Sequence, residues 1–130
     1  MTLRNCLLLL SLVGLFSCVE VADNSGAAAY KEHCASCHGM NGEGLGNYIP
    51  PLYEADYLIE HENELACIIK YGLNEQITVN GVVYSQPMGG LTQLDDAEVT
   101  NLINFIRQKW MGKEPNLSIK EVSDQIASCD

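Results

Sequence analysis

Residues 33–39 read His33-Cys34-Ala35-Ser36-Cys37-His38-Gly39, two cysteines separated by two residues with a histidine on each side. Such a pair can be half of a zinc site, a dithiol that switches to a disulfide, or the anchor of something larger. A zinc site needs two more ligands. The later candidates are His61, Cys67 and Cys129, and none of them forms a second close pair. A thioredoxin-like pair follows a β-strand and opens a helix. Here an alanine-rich helical run, AAAYKEH, comes before the pair, and a glycine-rich stretch comes after it.

The third reading uses His38 as well. Cys-x-x-Cys-His is the arrangement for covalent attachment of a c-type haem, with two thiols spaced for the two vinyl groups and a histidine that ligates iron from the same face. Of the three readings, haem is the one the surrounding chain favours.

Working outward, helical signals occur in four places. One begins near Ala27, after Asn24-Ser25-Gly26, which can supply an N-cap. Two short helices are expected at 53–59 and 62–71, the second stopping at Gly72. The last runs from Asp95, with Glu98 completing a capping box, to a stop at Gly112. Its apolar residues Val99, Leu102, Ile103, Ile106 and Trp110 recur at helical spacing and predict a core-facing stripe. Asn80-Gly81 between β-branched runs predicts a two-residue hairpin.

Residues 39–52 hold four glycines and two prolines and read as a long loop, which needs something to pack on. The whole chain has only two phenylalanines and one tryptophan. A bulky apolar cofactor would supply the missing core.

The ends have a different character. Residues 1–17 carry one charge, Arg4, followed by an uncharged apolar run from Leu7 to Phe16, a secretory signal too short for a permanent span. Leu15-Phe16-Ser17-Cys18 resembles the lipobox of bacterial lipoproteins, which implies cleavage before Cys18 and its lipidation. The alternative is ordinary cleavage near Ser17 and a soluble periplasmic product. The expected organisation is a signal peptide at 1–17, a lipid-anchored tether at 18–26, one domain at 27–112 and a C-terminal tail at 113–130. Losing Arg4 with the signal takes the formal charge from −10 to −11. With the remaining lysines and arginines scattered from Lys31 to Lys120, a nucleic-acid partner is excluded. Partners with basic patches are expected instead.

From about Ala27 to Trp110, through CASCHG, the PPL of the loop, the MGG stretch and the terminal FIRQKW, the chain resembles the monohaem class I cytochromes c. The resemblance implies an all-α fold of four to five helices around one covalent haem, with long loops, a minor hairpin and crossing N- and C-terminal helices. It implies thioethers from Cys34 and Cys37, His38 as proximal iron ligand, and the Pro50 carbonyl as partner of the other His38 ring nitrogen.

The position of Met88 matches the family's distal methionine, and elimination agrees. Met1 leaves with the signal, Met40 is two residues past His38, and Met111 ends the last helix. His33 and His61 are expected to face solvent and to matter only if Met88 is not bound. Cys67 is either a small buried hydrophobe or the disulfide partner of Cys129 in an oxidising compartment.

With both axial positions filled, electron transfer is expected rather than enzymatic bond-making. The expected role is a carrier on the periplasmic side of a bacterial membrane, docking through the SQPMGG and LGNY stretches and passing electrons between respiratory complexes. Two alternatives stand: a haem sensor or peroxidase-like protein with a labile Met88, and a fixed cytochrome subunit of a larger dehydrogenase or reductase.

Overall fold

Asp95 accepts the amide of Glu98, and the Glu98 carboxylate accepts the amide of Asp95, each at 2.8 Å, closing the expected capping box. The longest α-helix among the described residues of the computed structural model, α5 (Asp96–Ile106), starts there. The structure describes residues 25–114 and 116–129; the signal, Cys18 and most of the tether lie outside them. Among the described residues no helix is long and apolar enough to cross a membrane.

The stripe on α5 faces the core as its spacing predicts: Val99, Leu102 and Ile103 have no exposure, and Ile106 is also buried. Beyond Ile106 the helix widens into a π-helical turn, Arg107–Met111, and Gly112 ends it in the left-handed conformation (φ 61°). Helix α1 (Ser25–His33) packs on α5. They approach at Gly26, where a Cβ would lie 2.3 Å from the Asn101 carbonyl oxygen and 2.8 Å from Phe105. Tyr30, Phe105 and Trp110 then pack ring against ring, with centroids 5.0–5.7 Å apart.

Helix α2 (Ala35–His38) carries the attachment motif directly after α1. The first short helix is later than expected, α3 at Asp56–Glu60 rather than from residue 53. Leu52 and Tyr53 donate their amides to the Gly42 carbonyl, and Glu54 takes a positive φ of 50°, so the chain is committed to a turn there. The second splits into a 3₁₀ turn, Glu62–Glu64, and α4, Leu65–Tyr71. Gly72 stops α4 with φ 86°.

The Asn80-Gly81 hairpin joins β2 (Ile77–Val79) to β3 (Val82–Tyr84), with positive φ at both turn residues, as a type I′ turn requires. A second antiparallel pair lies outside the sequence reading: β1 (Gly72–Leu73) with β4 (Met88–Gly89). Among the described residues the fold is therefore predominantly helical, with the expected hairpin and a second small sheet beside it.

The tail also differs from a plain extension. Ser118 and Glu121 form a second capping box that starts α6 (Ile119–Ala127). Val122 is fully buried, and a disulfide joins Cys67 of α4 to Cys129, Cα atoms 5.7 Å apart and 62 residues apart in sequence. Reciprocal bonds between the Asn104 amide and the backbone of Leu117, at 2.8 and 2.9 Å, fix the connection from α5.

Candidate functional site

Tyr30 and Trp110 set the position of the attachment segment. The Tyr30 hydroxyl donates to the Gly39 carbonyl at 2.7 Å, and the Trp110 indole N–H donates to the Asn41 carbonyl at 3.0 Å. Gly42 lies under the Trp110 ring, where a Cβ would come within 2.8 Å. The turn after His38 is thereby fastened to α1 and to the π-helical turn that continues α5.

The loop then curls back over the histidine. Gly44 donates its amide to the His38 carbonyl at 2.8 Å, and an isolated bridge pairs Leu45 with Ile49. This carries the Pro50 carbonyl to 3.1 Å from His38 Nδ1. A carbonyl oxygen can only accept, so Nδ1 carries the proton and Nε2 of the neutral ring keeps its lone pair. Burial lowers the His38 pKa, against the upward pull of the Pro50 bond, which favours that neutral ring.

Met88 arrives from the other side of the chain. Strand β4 pairs Met88 with Leu73 and Gly89 with Gly72. Close contact is possible because Gly72 and Gly90 lack side chains: a Cβ on Gly72 would lie 2.3 Å from the Met88 carbonyl oxygen, and one on Gly90 2.5 Å from the Tyr71 backbone. Leu91 donates its amide to Ile69 O at 2.9 Å, and the Lys70 ammonium bonds to Leu94 O.

Between these two arms are two adjoining cavities that share Cys34, His38, Pro50, Leu73, Ile77 and Met88 as lining. One is walled by aliphatic side chains, among them Leu58, Leu65, Ile69, Val79 and Ile106; the other extends past Tyr84, Gln86 and Pro87. Its chemistry fits a flat, apolar, iron-bearing macrocycle. The walls are apolar, two thiols lie at one side, and an imidazole with a free Nε2 and a thioether border the same space.

The competing readings do not fit. Cys34 is buried, and burial, with the neighbouring Cys37 charge adding, pushes its thiol up to about 11, the opposite of an activated redox thiol. Cys67 and Cys129 are bonded to each other, so neither is available to a zinc ion. Among the described residues no group of three or more His, Cys, Asp or Glu side chains is arranged to hold a metal.

The cytochrome c family model matches residues 24–110. The chain belongs to the cytochrome c family. It is a c-type cytochrome of the monohaem class I kind, and its cofactor is covalently bound haem c. Among curated relatives, two proteins named cytochrome c-552 from Thermus thermophilus are 34% and 36% identical, over 71% and 65% of this chain. The cytochrome c subunit of a quinone alcohol dehydrogenase from Gluconobacter oxydans is 29% identical over 71%. These alignments span 64% and 67% of the two c-552 proteins and 20% of the dehydrogenase subunit.

His33 is not simply a solvent-facing residue: it is half-buried and lines the cavity that extends past Tyr84, beside Cys34, because α1 ends against the slot. His61 stacks on Tyr57, centroids 3.9 Å apart, with Nδ1 3.2 Å from Glu64, and lies outside both cavities. Met40 is 53% exposed and lines neither cavity. Sequence reasoning saw Gly72 only as the stop of a helix and missed Gly90. Their signal was present, since each stands beside a residue of the Met88 pairing, but glycine alone does not say what it lies against.

Proposed function

We propose that this cytochrome c carries single electrons on a six-coordinate haem, held by thioethers from Cys34 and Cys37 and ligated by His38 and Met88. The observation that carries this reading is that His38 and Met88, fifty residues apart in sequence, border the same apolar slot. When bound, the haem supplies a ferric/ferrous couple that exchanges one electron. His38 contributes a fixed imidazole, its Nδ1–H held by the Pro50 carbonyl. Met88 contributes a soft thioether, which favours the ferrous state and raises the potential relative to a second histidine. The aliphatic walls exclude water. With His38 and Met88 both given to holding the iron, no residue is assigned a catalytic role.

Docking to redox partners follows from charge. Between Glu32 and Ile106 the only lysine or arginine is Lys70, whose ammonium is committed to Leu94 O. The segment that supplies the slot's lining is therefore acidic and suits proteins with basic patches, orienting the encounter more than adding affinity. Leu45 and Tyr48, 63% and 71% exposed, and the turn before Met88 provide apolar surface for close approach. Lipidation at Cys18, with the 18–26 tether, would hold the domain within about 15 Å of a bacterial membrane on its periplasmic side. This placement suits exchange between respiratory complexes. The dehydrogenase-subunit relatives favour a second reading, a cytochrome fixed within a larger dehydrogenase.

Ferric and ferrous absorption spectra test the ligand set. A sulfur-to-ferric charge-transfer band at the red end and no carbon monoxide binding are expected; Met88→Ala should lose the band and admit carbon monoxide. A wild-type protein that binds carbon monoxide overturns the six-coordinate reading. Mass spectrometry of the mature N-terminus tests the lipid at Cys18, and co-purification after mild detergent extraction separates a carrier from a fixed subunit.

A further inference from the structure

Helix α6 lies beyond residues 24–110, the part of the chain that matches the family model. It is nevertheless firmly attached. Val122 is fully buried, the Ser123 hydroxyl is 2.5 Å from Asp96, and the Cys67–Cys129 bridge closes its far end. It packs on α4 and α5.

Helix α4 lies between α6 and the slot. Leu65, Ile68 and Ile69 line the aliphatic-walled cavity, whereas Cys67 carries the bridge to the segment after α6. The C-terminal end of α4 is also what Met88 rests on. The chain runs straight from Tyr71 into the Gly72–Leu73 strand that pairs with Met88–Gly89, and Ile69 O and Lys70 hold the residues that follow. On the other side of Met88, residues 85–87 are exposed, tied by a surface bond from Gln76 to Ser85. The backing of Met88 is thus α4, and the backing of α4 includes α6.

We infer that α6 and the Cys67–Cys129 bridge position Met88, bracing α4 from behind so that its end keeps the methionine against the slot. This rests on the reading of Met88 as an iron ligand. The coupling is mechanical and needs no chemistry at the bridge: α4 cannot move away from the slot without dragging the disulfide-linked tail, and β4 is hydrogen-bonded to the residues that would move.

The test uses ferric holoprotein under conditions far from unfolding. Added imidazole binds iron only in molecules from which Met88 has left, so its apparent affinity reports the open fraction. The wild-type spectrum is read first, and a missing sulfur-to-ferric band there overturns the ligand reading and this inference with it. With the band present, Cys67→Ser/Cys129→Ser should bind imidazole about tenfold more tightly, equivalent to about 1.4 kcal/mol of lost Met88 hold. Its charge-transfer band should weaken and its midpoint potential fall. Val122→Ala, which keeps the bridge, should move all three the same way by less, and it decides the matter if the double variant does not assemble. Unchanged imidazole affinity, band and potential in a folded variant, alongside a lower unfolding midpoint, would mean that the bridge only staples the tail. That overturns the inference and leaves the ligand reading intact.

Discussion

Gly44→Ala tests whether the loop over His38 acts on the iron or only fills space. Gly44 has φ +69°, and a Cβ there would lie 2.5 Å from Ile49 O and 2.8 Å from the Pro50 carbonyl carbon and oxygen. The left-handed conformation costs an alanine about 1–2 kcal/mol, and forcing the backbone apart adds about 1–3 kcal/mol. A stability loss of about 2–5 kcal/mol is expected in urea unfolding. The backbone that must yield includes the carbonyl accepting from His38 Nδ1 at 3.1 Å.

That bond makes the imidazole a stronger donor and so favours ferric iron; weakening it should raise the potential. A neutral hydrogen bond is worth about 1 kcal/mol net, and a one-electron couple shifts by about 59 mV per tenfold change in equilibrium. The rise is therefore bounded at about 40 mV if the whole bond is lost from one oxidation state. Spectroelectrochemical titration of the holoprotein reads it. A lowered potential, or a potential unchanged in a protein that has lost several kcal/mol of stability, refutes the reasoning.

Three more outcomes are expected. Gly26→Ala should destabilise the protein by about 1–3 kcal/mol despite alanine's better helix propensity, because its Cβ meets the Asn101 carbonyl; a stabilised variant would show that the helix crossing relaxes freely. Removing the Cys67–Cys129 bridge, which joins residues 62 apart, should cost about 4 kcal/mol on the chain-entropy argument, read as a lower denaturant midpoint. Burial pushes the Glu62 carboxyl up, but hydrogen bonds and charge from Arg107 and Lys113 outweigh this and hold it below its ordinary value. A depressed carboxylate stabilises the fold above its unfolded pKa, and that contribution disappears as pH falls through the folded value. Glu62→Gln should therefore cost about 1–3 kcal/mol at neutral pH, and its unfolding midpoint should converge with the wild type's in acid; a constant gap across the titration would contradict the ion-pair account.

The readable parts of the chain were those governed by local rules. The Asp95/Glu98 box, the Val99–Ile106 stripe, the Asn80-Gly81 turn and the stop at Gly72 each depend on neighbours a few residues away, and each stands where the spacing puts it. Tyr53 and Glu54 defeated the same approach. Their helical pattern lost to Gly42, eleven and twelve residues earlier, whose carbonyl takes the Leu52 and Tyr53 amides. A single sequence carries no sign of that competition.

Sequence by itself determined the chemistry of the attachment motif, because Cys34, Cys37 and His38 are close along the chain and their geometry is local. It also named Met88 as the remaining methionine, but only as a candidate. The tertiary structure alone decided that Met88 borders the same slot as His38, since this depends on β4 lying against the end of α4 where Gly72 and Gly90 permit contact. It decided, too, that the acidic tail is a helix bound behind α4 rather than an extension. The physical reason is the same in both cases: long-range packing is set by which surfaces meet, and periodicity along the chain records only that a residue has a buried face, not what it is buried against.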